Sequence, residues 1–290
     1  MSGAMGMLGT AVRAELSRLG HKVIATGLRG NGQDLIPMDI RDWDAVRRTI
    51  GECSPEYVLH LAAETDVDLC EQKPDHAYAT NALGTENVAW SCKESRAAMI
   101  YVSTANVFDG EKRDPYTEYD QPGSINVYGR SKLAGEQIVE KAMDRYFILR
   151  AGWMVGGWEL DKKFVYKIVH LCRTGRQLKV VDDRFGSLTF TADFARNLMP
   201  VVQTHRYGLY HMANRGVGSR LDIARKVVGF LGKDNEIEVS PVSSAEFPLP
   251  APRPRSEMLR NMKLDLIGLN NMPHWEESLR NYIEQNRDRS

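Results

Sequence analysis

Ser2-Gly3-Ala4-Met5-Gly6-Met7-Leu8-Gly9 opens the chain, with a glycine at every third position. Residues 10–20 continue as a helical run, and residues 22–26 read as a short strand. Glycine turn, helix and strand make up most of a dinucleotide-binding unit. The glycines let the backbone turn tightly and approach a ligand closely, and the helix N-terminus then faces a pyrophosphate. The spacing is G-x-x-G-x-x-G, with Gly3, Gly6 and Gly9 as candidate cofactor residues. In a doubly wound sheet a central strand precedes such a turn, and here only Met1 and Ser2 do. The expectation is a late start or a sheet rebuilt without its first strand.

Working outward, Gly27-Leu28-Arg29-Gly30-Asn31-Gly32 is the loop where such folds choose their nucleotide. An acid there would bind a ribose 2′-hydroxyl, and an arginine would favour a 2′-phosphate. No acid is obvious and Arg29 is available, which leans towards NADP(H) and leaves NAD(H) open. Asp39 and Ile40 end a short strand and are placed to meet the adenine. Asp42 reads as the N-cap of a helix over residues 43–51.

Residues 55–63 read as a buried parallel strand running into the small residues Ala62 and Ala63, which let a cofactor approach the strand's carboxyl end. Residues 75–93 read as one long helix containing Asn81. Residues 97–103 form another apolar strand, placing Ser103 and Thr104 at the carboxyl edge of the sheet. Turn or capping chemistry is the plain alternative for these hydroxyls. Residues 146–150 form a further strand. Strands and helices thus alternate to about residue 150, the pattern of a parallel α/β sheet with right-handed crossovers.

Tyr128-Gly129-Arg130-Ser131-Lys132 starts a helical pattern within this stretch. Residues four apart share a helix face, which puts a phenol beside an ammonium. A nearby positive charge lowers a phenol's pKa, and a phenol so tuned exchanges a proton with an alkoxide or alcohol near neutral pH. Thr104 just upstream supplies a hydroxyl to hold a carbonyl.

Beyond residue 150 the rhythm changes. Helices read over 162–174, 191–202, 219–231 and 274–286, with strands over 177–181, 208–213 and 236–239. This half reads as a substrate-side lobe, some of whose segments return to the first sheet. Arg184, Arg253 and Arg255 lie in loops and suit a diphosphate. Lys+Arg and Asp+Glu both total 38, which argues against a general electrostatic grip on nucleic acid or an acidic membrane. Cys53, Cys70, Cys92 and Cys172 are scattered, with no zinc or redox spacing, which favours reduced thiols in the cytoplasm. No signal sequence, membrane-length apolar run or metal-ligand cluster is evident. Whether the protein forms a homodimer is left open.

In order along nearly the whole chain, these motifs resemble the extended short-chain dehydrogenase/reductases, and within them the dTDP-4-dehydrorhamnose reductase family. Gly3, Gly6 and Gly9, with Met7 and Leu8 between them, resemble its cofactor turn. His60-Leu61-Ala62-Ala63-Glu64-Thr65-Asp66-Val67-Asp68 is similar to its segment between cofactor and sugar nucleotide. Ser103-Thr104-Ala105-Asn106-Val107-Phe108-Asp109-Gly110 resembles S-T-D-Y-V-F-D-G. The Tyr128–Lys132 run matches Y-G-x-[ST]-K, and Arg150-Ala151-Gly152-Trp153 resembles R-T-S-W. Residues 180–189 resemble V-V-D-D-Q-x-G-S-P-T, and Ala251-Pro252-Arg253-Pro254 matches A-P-R-P.

The resemblance implies a Rossmann-type NAD(P)-binding domain over residues 1–150 and a smaller C-terminal lobe over 151–290 that takes a dTDP-linked sugar nucleotide. NAD(P)H would reduce C4 of a 4-keto-6-deoxy sugar, giving dTDP-L-rhamnose for cell-surface polysaccharide. Tyr128 would protonate the new oxygen. Lys132 would hold the nicotinamide ribose and depress the Tyr128 pKa, and Thr104 would orient the carbonyl. Met7, Leu8 and Thr65 would join the cofactor site. Val67, Ala105, Trp153 and Arg184 would join the sugar-nucleotide site. The chain departs from the family at Ala105-Asn106, where an acid and an aromatic are expected. The alternatives are a regulatory homologue such as the methionine adenosyltransferase regulatory subunit, and a sugar-nucleotide epimerase or dehydratase.

Overall fold

The computed structural model describes residues 1–30, 34–161, 163–175 and 177–286. Asn31 and Gly32 of the nucleotide-choosing loop, and Lys162 at the start of an expected helix, lie outside them.

A parallel sheet is built from three strands of the first half and one that returns from the second. Tyr57–His60, Ala98–Thr104, Tyr146–Ala151 and Gly208–His211 pair in that order. Ile100, Phe147, Ile148 and Leu149 on its inner strands are fully buried. That is why the segments read as continuous apolar runs and not as alternating ones. Met1 and Ser2 alone stand in the central position expected of a first strand. The Ser2 amide donates to the Leu59 carbonyl at 2.9 Å, and the Thr26 amide donates to the Met1 carbonyl at 2.9 Å. These two residues therefore join the main sheet to the short parallel pair Thr26–Gly27 and Ile36–Pro37.

Helices cover both faces. Met7–Arg18 and Thr191–Val202 pack Leu8, Val12, Leu16, Phe194 and Leu198 on one side. Trp43–Cys53, Gly84–Glu94 and Val127–Ala142 pack Val46, Ile50, Val88 and Val139 on the other. The fold is thus a doubly wound α/β sheet. Asp42 does cap its helix, accepting the Ala45 amide.

The long helix expected over residues 75–93 is interrupted. Pro74–Tyr78 passes into a π-helical turn, Ala79–Leu83, before Gly84–Glu94 resumes. Such bulges gather at functional sites. Here Asn81 lies in the turn. Its amide oxygen accepts the Glu64 amide at 2.8 Å, and its nitrogen donates to the Glu64 carbonyl and to Ser131 Oγ, both at 3.0 Å. One side chain thus ties the loop after Tyr57–His60 to the Val127–Ala142 helix.

A second core gathers around Trp158, Val169, Leu188, Val227 and Leu279. It is built on the helices Phe164–Thr174, Arg220–Phe230 and Trp275–Gln285. Ser219 and Asp222 form a reciprocal capping box at the start of the second helix. Short strands that propensity does not reveal pair in this half of the chain. Phe185–Gly186 pairs with Gly218–Ser219 and with Ser256–Glu257, and Trp153–Val155 pairs with Leu188–Phe190.

Candidate active site

At the phosphate turn the backbone has no room for side chains. Gly3 has φ +68°, and a Cβ there would lie 2.6 Å from the Ala62 amide nitrogen. A Cβ at Gly9 would lie 2.3 Å from the Gly3 carbonyl oxygen. Gly6 is the N-cap of Met7–Arg18 with no side-chain cap and no acid in the first turn. The first amides, Met7 and Leu8 among them, are left for an anion, and the helix dipole favours one there. The residues present fit a dinucleotide pyrophosphate. Arg29 is exposed beyond Thr26–Gly27. Asp39 is engaged by Arg41 through a two-point ion pair, which lowers its pKa. Ile40 packs against Gly84, where a Cβ would come within 2.8 Å of its Cδ1.

A cavity of about 670 Å³ is lined by residues from both halves of the chain. Leu8 of the glycine-turn helix lines it together with Thr65, Val67, Thr104, Tyr128, Lys132 and Trp153. The strand Ala98–Thr104 delivers Thr104, and the helix Val127–Ala142 delivers Tyr128 and Lys132 one turn apart on one face. Asn126 caps that helix, its side-chain oxygen accepting the Gly129 amide at 2.8 Å.

The electrostatics differ from the expectation on one point. Burial lifts the Tyr128 phenol to about 12, opposed by its hydrogen bond with the Thr104 hydroxyl. Desolvation is the largest influence on the phenol and raises it, against the lowering read from the Tyr128–Lys132 spacing. The Lys132 ammonium donates to the Val102 carbonyl at 2.9 Å, and burial lowers it to about 7. His60 is held between Ser2 Oγ and Thr85 Oγ1 and is neutral, lowered to about 3 by burial.

Two expected substrate residues are not in the cavity wall. Ala105 is fully buried in a small apolar cluster with Val107 and Phe108. Arg184 pairs with Asp183. Arg253, read from the sequence as a diphosphate arginine, does line the cavity and Arg255 does not, while Asn106, Lys163, Arg220 and Glu257 line it without having been given a role. The Arg220 guanidinium stacks 3.5 Å from the Trp153 ring centre and is lowered to about 10 by burial, so it is still cationic at neutral pH. Arg253 pairs with Asp68 at 2.9 Å and pins the proline-rich strap to the Val67–Gln72 helix. Glu257 is buried, accepts the Trp153 indole N–H at 2.8 Å, and has its pKa raised by burial. A carboxylate so close to the A-P-R-P match was the one available signal. Among the described residues no cluster could hold a metal ion, and no helix is long and apolar enough to cross a membrane.

Residues 1–287 match the family described as RmlD substrate binding domain. A dTDP-4-dehydrorhamnose reductase of Mycolicibacterium smegmatis is 36% identical over 285 residues, covering 98% of this chain and 84% of that protein. A dTDP-4-dehydrorhamnose reductase structure from Clostridium acetobutylicum superposes with a TM-score of 0.88 at 34% identity, over 99% of this chain and 98% of that one. Another from Bacillus anthracis, solved in complex with NADP, superposes with a TM-score of 0.88 at 33% identity, over 98% and 97%.

Proposed function

This chain belongs to the RmlD substrate binding domain family, and from that premise we propose that it is an NADPH-dependent reductase of a dTDP-linked 4-keto-6-deoxy sugar, converting dTDP-4-dehydro-L-rhamnose to dTDP-L-rhamnose. The observation behind this reading is that the glycine-turn helix, through Leu8, and the trio Thr104, Tyr128 and Trp153 open onto one cavity. Cofactor and sugar can therefore meet at one point.

NADPH, when bound, would supply the hydride for C4 of the sugar. Tyr128 gives its phenolic proton to the C4 oxygen. The phenol is protonated at neutral pH, as donation requires, and burial keeps it so. Thr104 orients the carbonyl by hydrogen bonding. Lys132 would hold the nicotinamide ribose. Arg220 and Lys163 supply charge for the diphosphate, and the Trp153 ring walls the sugar. The domain division at about residue 150 belongs to the same reading, as does a cytoplasmic location, supported by four free cysteines. A homodimer, supported by the exposed Tyr78, Leu83 and Trp90, is checked by light scattering.

The test is isotopic. NADPH carrying deuterium at the transferring position should leave that deuterium on C4 of dTDP-L-rhamnose. A sugar product without label at C4 would overturn the reading.

A further inference from the structure

Glu257 stands at a junction that the reductase reading does not use. Its Oε1 accepts the Trp153 indole N–H at 2.8 Å, and its Oε2 accepts the Asn106 side-chain N–H at 2.5 Å. Asn106 Oδ1 in turn accepts from Asn126 Nδ2 at 2.9 Å. Asn126 Oδ1 accepts the Gly129 amide, one residue past Tyr128, at 2.8 Å. The contacts span 104 residues between Trp153 and Glu257, and 151 between Asn106 and Glu257.

The direction of every bond in this chain is fixed. An indole N–H only donates, and an ionised carboxylate only accepts. Asn126 must present oxygen to the Gly129 amide, so it presents nitrogen to Asn106. Asn106 must then present nitrogen to Glu257. Only a group that accepts at both ends closes the chain. Asn106, Asn126 and Glu257 are all buried, and in such a network each bond strengthens its neighbours. A lone buried acid is costly, and the positive field of Arg220 and Arg253 offsets that cost.

We propose that Glu257 is a positioning residue for the reduction, tying the Trp153 indole on the sugar side to Asn106 and, through Asn126, to the N-terminus of the helix that bears Tyr128 and Lys132. The proposal rests on the reductase reading. Through this tie, a sugar seated against Trp153 and the proton donor are held in one frame. A misplaced donor loses rate even when binding is intact.

The experiment uses Glu257→Gln, Trp153→Phe and the double variant in the full chain. The glutamine still accepts from Trp153 but faces the Asn106 amide nitrogen with its own, so it cuts one end of the tie. The phenylalanine cuts the other end. Each single variant should lower kcat by about tenfold or more and raise the KM for the sugar nucleotide. The double variant should be no slower than the slower single within about twofold, because a tie cut once is already lost. NADPH affinity, read by nicotinamide fluorescence, should stay within about twofold throughout, which a merely structural role would not spare.

Wild-type kcat and sugar-nucleotide KM in Glu257→Gln would overturn the proposal, as would single effects that multiply in the double variant. A wild-type protein that oxidises no NADPH defeats the reductase reading separately. The tie is then read from binding alone: Glu257→Gln should weaken dTDP-L-rhamnose but not dTDP, and equal effects on both would overturn it. A wild-type protein that also fails to bind dTDP-L-rhamnose would end both ideas.

Discussion

The Lys132 ammonium sits 4.0 Å from the centre of the Tyr101 ring. Lys132 is only 3% exposed, and the ring face and the Val102 carbonyl are its partners within the fold. That is a costly place for a cation, and burial lowers its pKa from 10.5 to about 7. Lys132→Met should therefore stabilise the cofactor-free protein at pH 7, by about 1 kcal/mol or roughly 2–4 °C in Tm, while removing turnover. The sign with pH follows from the lowered value. Between pH 7 and 10.5 the unfolded chain keeps a proton that the folded chain has released, so wild-type stability rises with pH across that window. The advantage of the methionine should be largest at pH 7 and fade towards pH 10.5. Denaturant melts of both proteins across that range check it, and a gap that does not change with pH would contradict it.

Tyr128→Phe removes the proton donor and keeps the ring. Turnover should fall by about 10²–10⁴-fold, while sugar-nucleotide and NADPH affinities stay within about twofold. Steady-state kinetics paired with binding titrations separate the two effects.

Gly9→Ala puts a methyl group 2.3 Å from the Gly3 carbonyl oxygen, inside the turn that would cradle the pyrophosphate. The turn must open to accept it. NADPH affinity should drop by about tenfold or more, a loss of about 1.4 kcal/mol, with dTDP affinity unchanged. Parallel fluorescence titrations with the two ligands provide the readout.

Glu136 lies one turn beyond Lys132 on the same helix and is paired with Arg150 at 2.6 and 2.9 Å. The two are 2% and 3% exposed. Arg150→Met should cost about 3–5 kcal/mol, because it strands a buried carboxylate. Replacing Glu136 by Leu as well should recover most of the loss. Urea melts of the three proteins test this, and equal stability of the single and double variants would contradict it.

What the sequence made legible is local. The glycine turn, the apolar strands and the Tyr128–Lys132 pair each depend on residues within a few positions of one another, where spacing and periodicity speak directly. The π-helical turn at Ala79–Leu83 was not legible, because its cause is the grip of Asn81 on Glu64 and Ser131 across the fold. Glu257 and Arg220 were missed for the same reason: they acquire meaning only when short strands bring them against Trp153. The Tyr128 pKa shows a different limit. Helix spacing reports a neighbouring charge, but not the desolvation that dominates the Tyr128 phenol.

The central claim is net reduction with Tyr128 as proton donor. Its most direct test is the stoichiometry of NADPH oxidised against dTDP-4-dehydro-L-rhamnose consumed, with the product identified by nuclear magnetic resonance. One NADPH oxidised for each dTDP-L-rhamnose formed is the expected result. Conversion of the sugar with no net NADPH consumption, or no conversion at all by a folded protein that binds both ligands, would contradict it.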